Sequence, residues 1–290
     1  MVGNIVDRWR PGMRCILLLL AMAFGLNTPL HGQRLLSLAP SLTETVCDLG
    51  LCDHLVGVTD HCLYPPKVRS VEKIGGYLEP NFERITVLKP DLIFALPEHR
   101  DASSRLKQLG FQVETLQNYT LGDIHETIRQ IGRLTGRSDR AEQRIEELLE
   151  IQTSLERKSE RTWRCIMVLG HSQDSQPIKD VYAVGQKGFL NELLALAGGE
   201  NAIAQDQPFF PKLGQEGLLA LDPDVIIELI PDSVPTAEML SGRKRQWARM
   251  EHLKAVKNKR VFIFSADHVL QAGPRYLETL RFLSNTLEKL

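Results

Sequence analysis

The residues able to do chemistry stand in short clusters directly after apolar runs. Asp60, His61, Cys62 and Tyr64 follow LVGVT, Tyr77 stands beside Gly75 and Gly76, and Glu98, His99 and Arg100 follow DLIFAL. In the second half His171, Tyr182, the pair Phe209 and Phe210, and then Asp267, His268 and Arg275 hold comparable places. Such a set admits different chemistries. His61 or His268 with Asp267 could exchange protons with a substrate as an acid–base pair. Tyr77, Tyr182 and Phe210 around a cleft would instead grip a large, flat, partly apolar ligand. The chain has no G-x-S-x-G, H-E-x-x-H or G-x-x-x-x-G-K-[ST] segment, so no standard catalytic motif supports the first reading. A free metal ion would need three or four converging ligands, and only His61, Asp267 and His268 are candidates.

These clusters act together only if strands deliver them to one place. RLLSL (34–38), LVGVT (55–59), DLIFAL (91–96), QVETL (112–116), WRCIMVLG (163–170), DVIIELI and RVFIF read as strands. Helical stretches separate them, which predicts α/β architecture with parallel sheets covered by helices. Ser41 and Glu44 have the spacing of a capping box opening a helix to about Leu49. Ligands of such sheets bind beyond the carboxyl ends of the strands, where the clusters lie.

Residues 138–161 break the alternation. They lack Pro and Gly and place Ala141, Ile145, Leu148, Ile151 or Gln152, and Leu155 at helical spacing. This predicts one amphipathic helix, about 35 Å long, that joins two lobes and limits hinge motion. The expected organisation is therefore a leader over 1–32, an N-terminal lobe over 33–137, a connecting helix over 138–161 and a C-terminal lobe over 162–290. Each lobe carries one copy of a repeat, ERITVLKPDLIF at 83–94 and EGLLALDPDVII at 216–227. A glutamate near a helix N-terminus stabilises that helix by about 0.3–1 kcal/mol, which accounts for one copy. A matched pair, Glu83 and Glu216, suits a partner with two basic pockets.

The chain has 290 residues, 43% hydrophobic and 24% charged, with formal net charge −1. That charge argues against a general electrostatic grip on nucleic acid or an anionic membrane. Arg8, Arg10 and Arg14 precede a short apolar stretch at 15–26. It falls short of the roughly 20 residues that span a bilayer and fits a cleavable secretory signal. Cys15 precedes that stretch, so a lipid anchor is not expected. Export permits disulfides, and Cys52 and Cys62, flanking LVGV, could pair; Cys47 and Cys165 complete the set.

From Arg34 to its end the chain resembles the iron-chelate and vitamin B12 class of periplasmic substrate-binding proteins of ABC importers. The resemblance rests on RLLSLAPSLTE, VGVTDHCLYPP, GGYLEPNFERITVLKPDLI, LLALAGGENAI, QEGLLALDPDVII, LKAVKNKRVF and GPR, in that order. It implies a class III fold, two parallel-sheet lobes joined by one long helix. It also implies a non-catalytic carrier without intrinsic cofactor, located in the periplasm and monomeric when free. The partners it implies are a permease dimer with its ATPase subunits, which Glu83 and Glu216 would engage through arginines, and a small-molecule ligand. His61, Tyr77, Tyr182, Phe210, Asp267 and Arg275 fall at or near cleft-lining positions of the class. Tyr77 and Phe210 stand where vitamin B12-binding members have tryptophans, Leu96 at a third, and His61 where they have an aromatic. The ligand so implied is a corrinoid such as cobalamin, or alternatively a ferric siderophore or haem. His61 or His268 could then coordinate the cobalt or iron within it.

Overall fold

An arginine stands at the start of the first strand of each half of the chain, and both halves are built outward from that strand. The computed structural model describes residues 32–157, 162–171, 178–204, 207–232 and 234–290; the expected leader, apart from Gly32, lies outside them. In the N-terminal lobe β1 (Leu35–Ser37), β2 (Leu55–Val58), β3 (Leu92–Ala95) and β4 (Val113–Thr115) form a parallel sheet ordered β2-β1-β3-β4. Both faces are buried, as parallel strands under helices require. Leu36 and Ile93 pack with Ile74, Ile85 and Leu106 on one side, while Leu35, Leu92 and Phe94 join the main core on the other.

The C-terminal lobe repeats this order. β7 (Gly199–Asn201), β5 (Trp163–His171), β9 (Val225–Ile230) and β10 (Val261–Ser265) are parallel in the order β7-β5-β9-β10. The sheet is mixed, however, and the expectation of a wholly parallel one is corrected. β6 (Asp180–Ala183) pairs antiparallel with the far half of β5, and β8 (Lys212–Gly214) pairs antiparallel with β6. Both added strands are short and partly polar, which kept them from reading as strands.

The repeated segments are one structural device used twice. Each opens a two-turn helix, Phe82–Leu88 or Gln215–Leu221, closed by a left-handed residue, Lys89 (φ 47°) or Asp222 (φ 37°). The N–H of that residue returns to Ile85 O or Leu218 O, and the proline that follows cannot extend the helix. The next residue acts as a staple. Asp91 Oδ2 accepts the Arg34 backbone N–H at 2.7 Å, and Asp224 Oδ2 accepts that of Arg164 at 3.3 Å. The two arginine side chains donate back to Leu88 O and Leu221 O. The staple fixes β1 against β3, with Leu35 opposite Leu92, and β5 against β9, with Cys165 opposite Val225.

Between the lobes runs the Ser138–Leu155 helix, burying Ala141, Ile145 and Leu148. It ends short of the Arg161 expected, and residues 158–161 lie outside the described ones. Ion pairs tie a lobe to it and the lobes to each other. Arg144 Nε donates to Asp48 Oδ2 at 2.5 Å. Arg275 donates to both oxygens of Glu44, at 2.8 and 2.5 Å, and to Asp267 Oδ1 at 2.8 Å. The Tyr64 ring covers the guanidinium at 3.9 Å. Glu44 is thus not part of a capping box: Pro40 opens the helix two residues earlier, with Ala39 at the cap and no side-chain cap bond. The expected cysteine pairing is also corrected. Cys47 and Cys52 form the disulfide where the Pro40–Asp48 helix turns back, while Cys62 is free and buried. β2 separates Cys52 from Cys62 by about 13 Å of extended chain, too far to bridge. The Cys62 thiol lies instead 3.1 Å from Thr43 Oγ1 and 3.2 Å from Thr59 Oγ1.

Burial pushes the Glu44 carboxyl above its ordinary value, against the pull of Arg275. Burial also pushes Asp267 up, but there the Arg275 hydrogen bond and charge win and the net direction is down. Arg275→Ala should therefore cost about 3–5 kcal/mol near neutral pH, because Glu44 is left buried and unpaired. The deficit should shrink on acidification. Without Arg275 the Glu44 carboxyl takes up a proton more readily, while the wild type loses the Asp267 contribution as pH falls through that group's lowered pKa. Urea unfolding across the acid range checks this, and a pH-independent deficit would mean that Arg275 contributes packing alone.

Candidate ligand-binding cleft

A cleft of about 530 Å³ opens between the lobes at the strand exits. The N-terminal lobe supplies Ala39, Pro40 and Ser41 after β1, Tyr77 from the segment after β2, Leu96 and Glu98 after β3, and Asn118 and Tyr119 after β4. Facing them are Val184, Lys187, Phe189, Phe209 and Phe210 from the β6–β8 region, and Leu270, Gln271 and Ala272 after β10. The antiparallel insertion that breaks the second sheet thus brings two of the five aromatic rings, Phe209 and Phe210.

Local packing holds these rings. Tyr77 Oη donates to Glu98 Oε1 at 3.0 Å, and its ring meets His99 edge-on at 4.5 Å. His99 Nδ1 accepts the Leu96 N–H at 3.0 Å, which leaves the ring proton on Nε2, buried and without a partner. Across the cleft, Gly185 lets the Phe209 strip lie against the chain; a Cβ there would stand 2.2 Å from Pro208 O. Gly188 (φ 91°) makes a similar close approach, and beside it the Phe189 N–H reaches Tyr119 O at 2.7 Å, bonding one lobe to the other. Tyr119 and Phe209 lie 6.0 Å apart, Phe209 and Phe210 6.3 Å. Tyr119, Phe209 and Phe210 remain 40–54% exposed, an apolar surface left open to a ligand.

Glu98 and Lys187 are the only charged side chains among the described lining residues, so the cleft is nearly neutral. Burial, then the charge and hydrogen bond of Glu98, push the Tyr77 phenol far above its ordinary pKa. Burial, then the charges of Glu98 and Asp123, push Tyr119 the same way.

Of the residues expected to line the cleft, Tyr77 and Phe210 do so. His61 is exposed in the turn after β2, and Tyr182 is exposed on β6 with Lys212 Nζ 5.7 Å from its ring. Asp267 and Arg275 are taken up by the clamp to Glu44. His268 is buried, Nδ1 3.3 Å from Asp267 and Nε2 3.6 Å from Glu278, and burial holds its pKa down. His99 sits behind Tyr77, Arg100 is exposed beside Asp101, and the His171 side chain lies outside the described residues. Among the described residues no group of three or more His, Cys, Asp or Glu could hold a metal ion. Sequence reasoning missed Tyr119, Phe189, Lys187, Asn118 and Gln271. Tyr119 and Asn118 follow the strand QVETL by the same exit rule that found Tyr77, so a signal was present.

Glu83 and Glu216 are exposed in the first turns of the two repeat helices, and neither has an ion-pair partner among the described residues. Val87, one turn after Glu83, is 80% exposed.

Two α/β lobes bridged by one helix, with a neutral aromatic cleft at their strand exits, define a two-lobe ligand carrier. A periplasmic binding protein family model matches residues 35–267, and the chain belongs to that family. It is 30% identical, over 88% of this chain and 80% of the relative, to the uncharacterized ABC transporter substrate-binding lipoprotein YvrC of Bacillus subtilis. The vitamin B12-binding protein of Vibrio cholerae is 28% identical over 88% of this chain and 89% of its own. The crystal structure of the periplasmic vitamin B12 binding protein BtuF of that species matches with a TM-score of 0.71 at 28% identity, covering 89% of this chain and 97% of that one. The periplasmic heme-binding protein RhuT of Roseiflexus sp. RS-1 shares the fold, with a TM-score of 0.73 at 22% identity over 89% and 98%. The fold is thus the class III type, and the class is that of ABC-transporter substrate-binding proteins. No helix among the described residues is long and apolar enough to cross a membrane.

Removing the Glu98 charge should make Tyr77 easier to ionise. In Glu98→Gln, the Tyr77 transition should move down, yet stay above the ordinary range because burial persists. Alkaline difference absorbance checks this, with Tyr77→Phe identifying the signal; an unmoved midpoint would mean that Glu98 does not govern the phenol.

Proposed function

We propose that the protein is exported by a cleavable leader, captures a corrinoid between its lobes and hands it unchanged to an ABC importer. The observation that carries this reading is the cleft itself, with exposed aromatic rings on both sides and a single carboxylate offset by a single ammonium. A flat macrocycle with uncharged edges suits such walls. Haem and anionic siderophores would call for several cations, and Lys187 is the only one among the described lining residues. Similarity to vitamin B12-binding proteins supports the same choice. Tyr77 and Phe210 are the expected ligand contacts, joined by Tyr119 and Phe209.

Glu83 and Glu216 are the proposed docking carboxylates. One stands on each lobe, both are exposed, and the clamp and connecting helix hold their separation. Such a pair addresses basic pockets on a permease dimer.

Calorimetric titration with a corrinoid, a ferric siderophore and haem tests the ligand. One-to-one corrinoid binding is expected, weakened about tenfold by Phe210→Ala. Binding of haem or siderophore alone would replace the corrinoid while keeping the carrier. Turnover of any of them would overturn the carrier. Charge reversal at Glu83 and Glu216 together should abolish uptake and leave ligand affinity intact; lost affinity would place these carboxylates in folding or binding instead.

A further inference from the structure

Two side-chain amides in the cleft have their nitrogen ends tied and their oxygen ends free. Asn118 Nδ2 donates to Ser41 Oγ at 3.2 Å, and Asn118 is only 8% exposed, while its Oδ1 has no hydrogen-bond partner. Gln271 Nε2 donates to Asp267 O at 2.9 Å, and its Oε1 is likewise buried without a partner. They come from opposite lobes and from equivalent places, since β4 and β10 are the matching end strands of the two parallel arrays. Their loops meet: a Cβ on Gly273 would lie 3.2 Å from Ser41 Cβ, so the Gln271 loop packs on the residue that anchors Asn118. A buried acceptor left unpaired is unfavourable, and two of them in one cleft need a common reason.

We infer that Asn118 and Gln271 form an acceptor pair that selects ligands bearing N–H donors at their edge, carboxamides above all, over ligands bearing carboxylates. This rests on the proposed corrinoid reading and adds to it what the cleft reads on the macrocycle. A carboxamide N–H completes either oxygen. A carboxylate offers no donor, meets lone pairs with lone pairs, and meets the Glu98 charge as well. Gln271 cannot turn over without giving up its bond to the Asp267 carbonyl, and Asn118 as placed gives its amide N–H to Ser41.

The test is calorimetry of the purified protein with dicyanocobinamide, whose corrin carries carboxamides, and cobyrinic acid, the same corrin carrying carboxylic acids. The wild type should bind the amide form about 100-fold more tightly, roughly tenfold for each acceptor. Asn118→Leu and Gln271→Leu should each lose about tenfold for cobinamide and leave cobyrinic acid unchanged. Asn118→Asp keeps an acceptor that the Ser41 hydroxyl can support, and should retain the amide preference if the fold tolerates it; thermal unfolding of each variant checks folding. Equal affinity for the two corrinoids, or equal losses for both in the leucine variants, would overturn the acceptor pair and leave the corrinoid carrier standing. If haem binds in place of both corrinoids, haem against its bis-amide decides the pair on the same criterion. If no macrocycle binds in any form, the proposed ligand and the acceptor pair fall together.

Discussion

Arg275 joins two carboxylates that belong to different lobes, and the cleft has a defined width because it does. Its guanidinium spans Glu44, in the first helix, and Asp267, after the last strand, under the Tyr64 ring. A cation so placed is hard to give up, since release would strand Glu44 in a buried setting. The Arg144–Asp48 pair and the apolar seam of the Ser138–Leu155 helix act in the same direction. The Phe189 N–H on Tyr119 O adds a backbone bond directly beside the aromatic walls. Ligand capture in such a molecule depends on walls set in advance, which lowers the ordering cost of binding.

The walls follow from how the sheets are registered. Parallel order places every strand exit on one side of each sheet, so short segments after β1, β3, β4 and β10 meet without long loops. The insertion of β6 and β8 departs from the common plan of the lobes and supplies Phe209 and Phe210 at the cost of a mixed sheet. The two lobes are therefore alike in frame and unlike in lining. That asymmetry suits a ligand whose two faces differ.

Much of the frame was legible because its signals are local. Apolar runs, the Pro-free stretch at 138–155 and the Glu…Pro-Asp repeat each declare their structure within a dozen residues. The lining was less legible, since it depends on pairings across the chain. Arg275 looked free to meet a ligand because nothing nearby in sequence reveals that Glu44, 231 residues away, holds it. His268 misled for the same reason: its neighbours Asp267 and Glu278 enclose it, and the enclosure is tertiary. Spacing allows Cys62 as a partner of Cys52, whereas the helix turn at Leu49 brings Cys47 there first. Tyr77 and Phe210 could be read because aromatic residues next to strand exits have few other uses. Tyr119 meets the same criterion.

The Pro-Asp staples also make each repeat a load path. A pull applied at Glu83 enters the first turn of the Phe82–Leu88 helix, passes through the left-handed Lys89 and Pro90, and reaches β3 at the point where Asp91 grips Arg34. The far end of β3 carries Leu96 and Glu98. The second path runs from Glu216 to β9 in the same manner, but its helix contains Gly217, which weakens helical backbone by about 1 kcal/mol relative to alanine. Tension applied equally to both lobes would be passed on stiffly by the first and with more give by the second, so the two walls of the cleft would part unevenly, the Glu98 wall moving first.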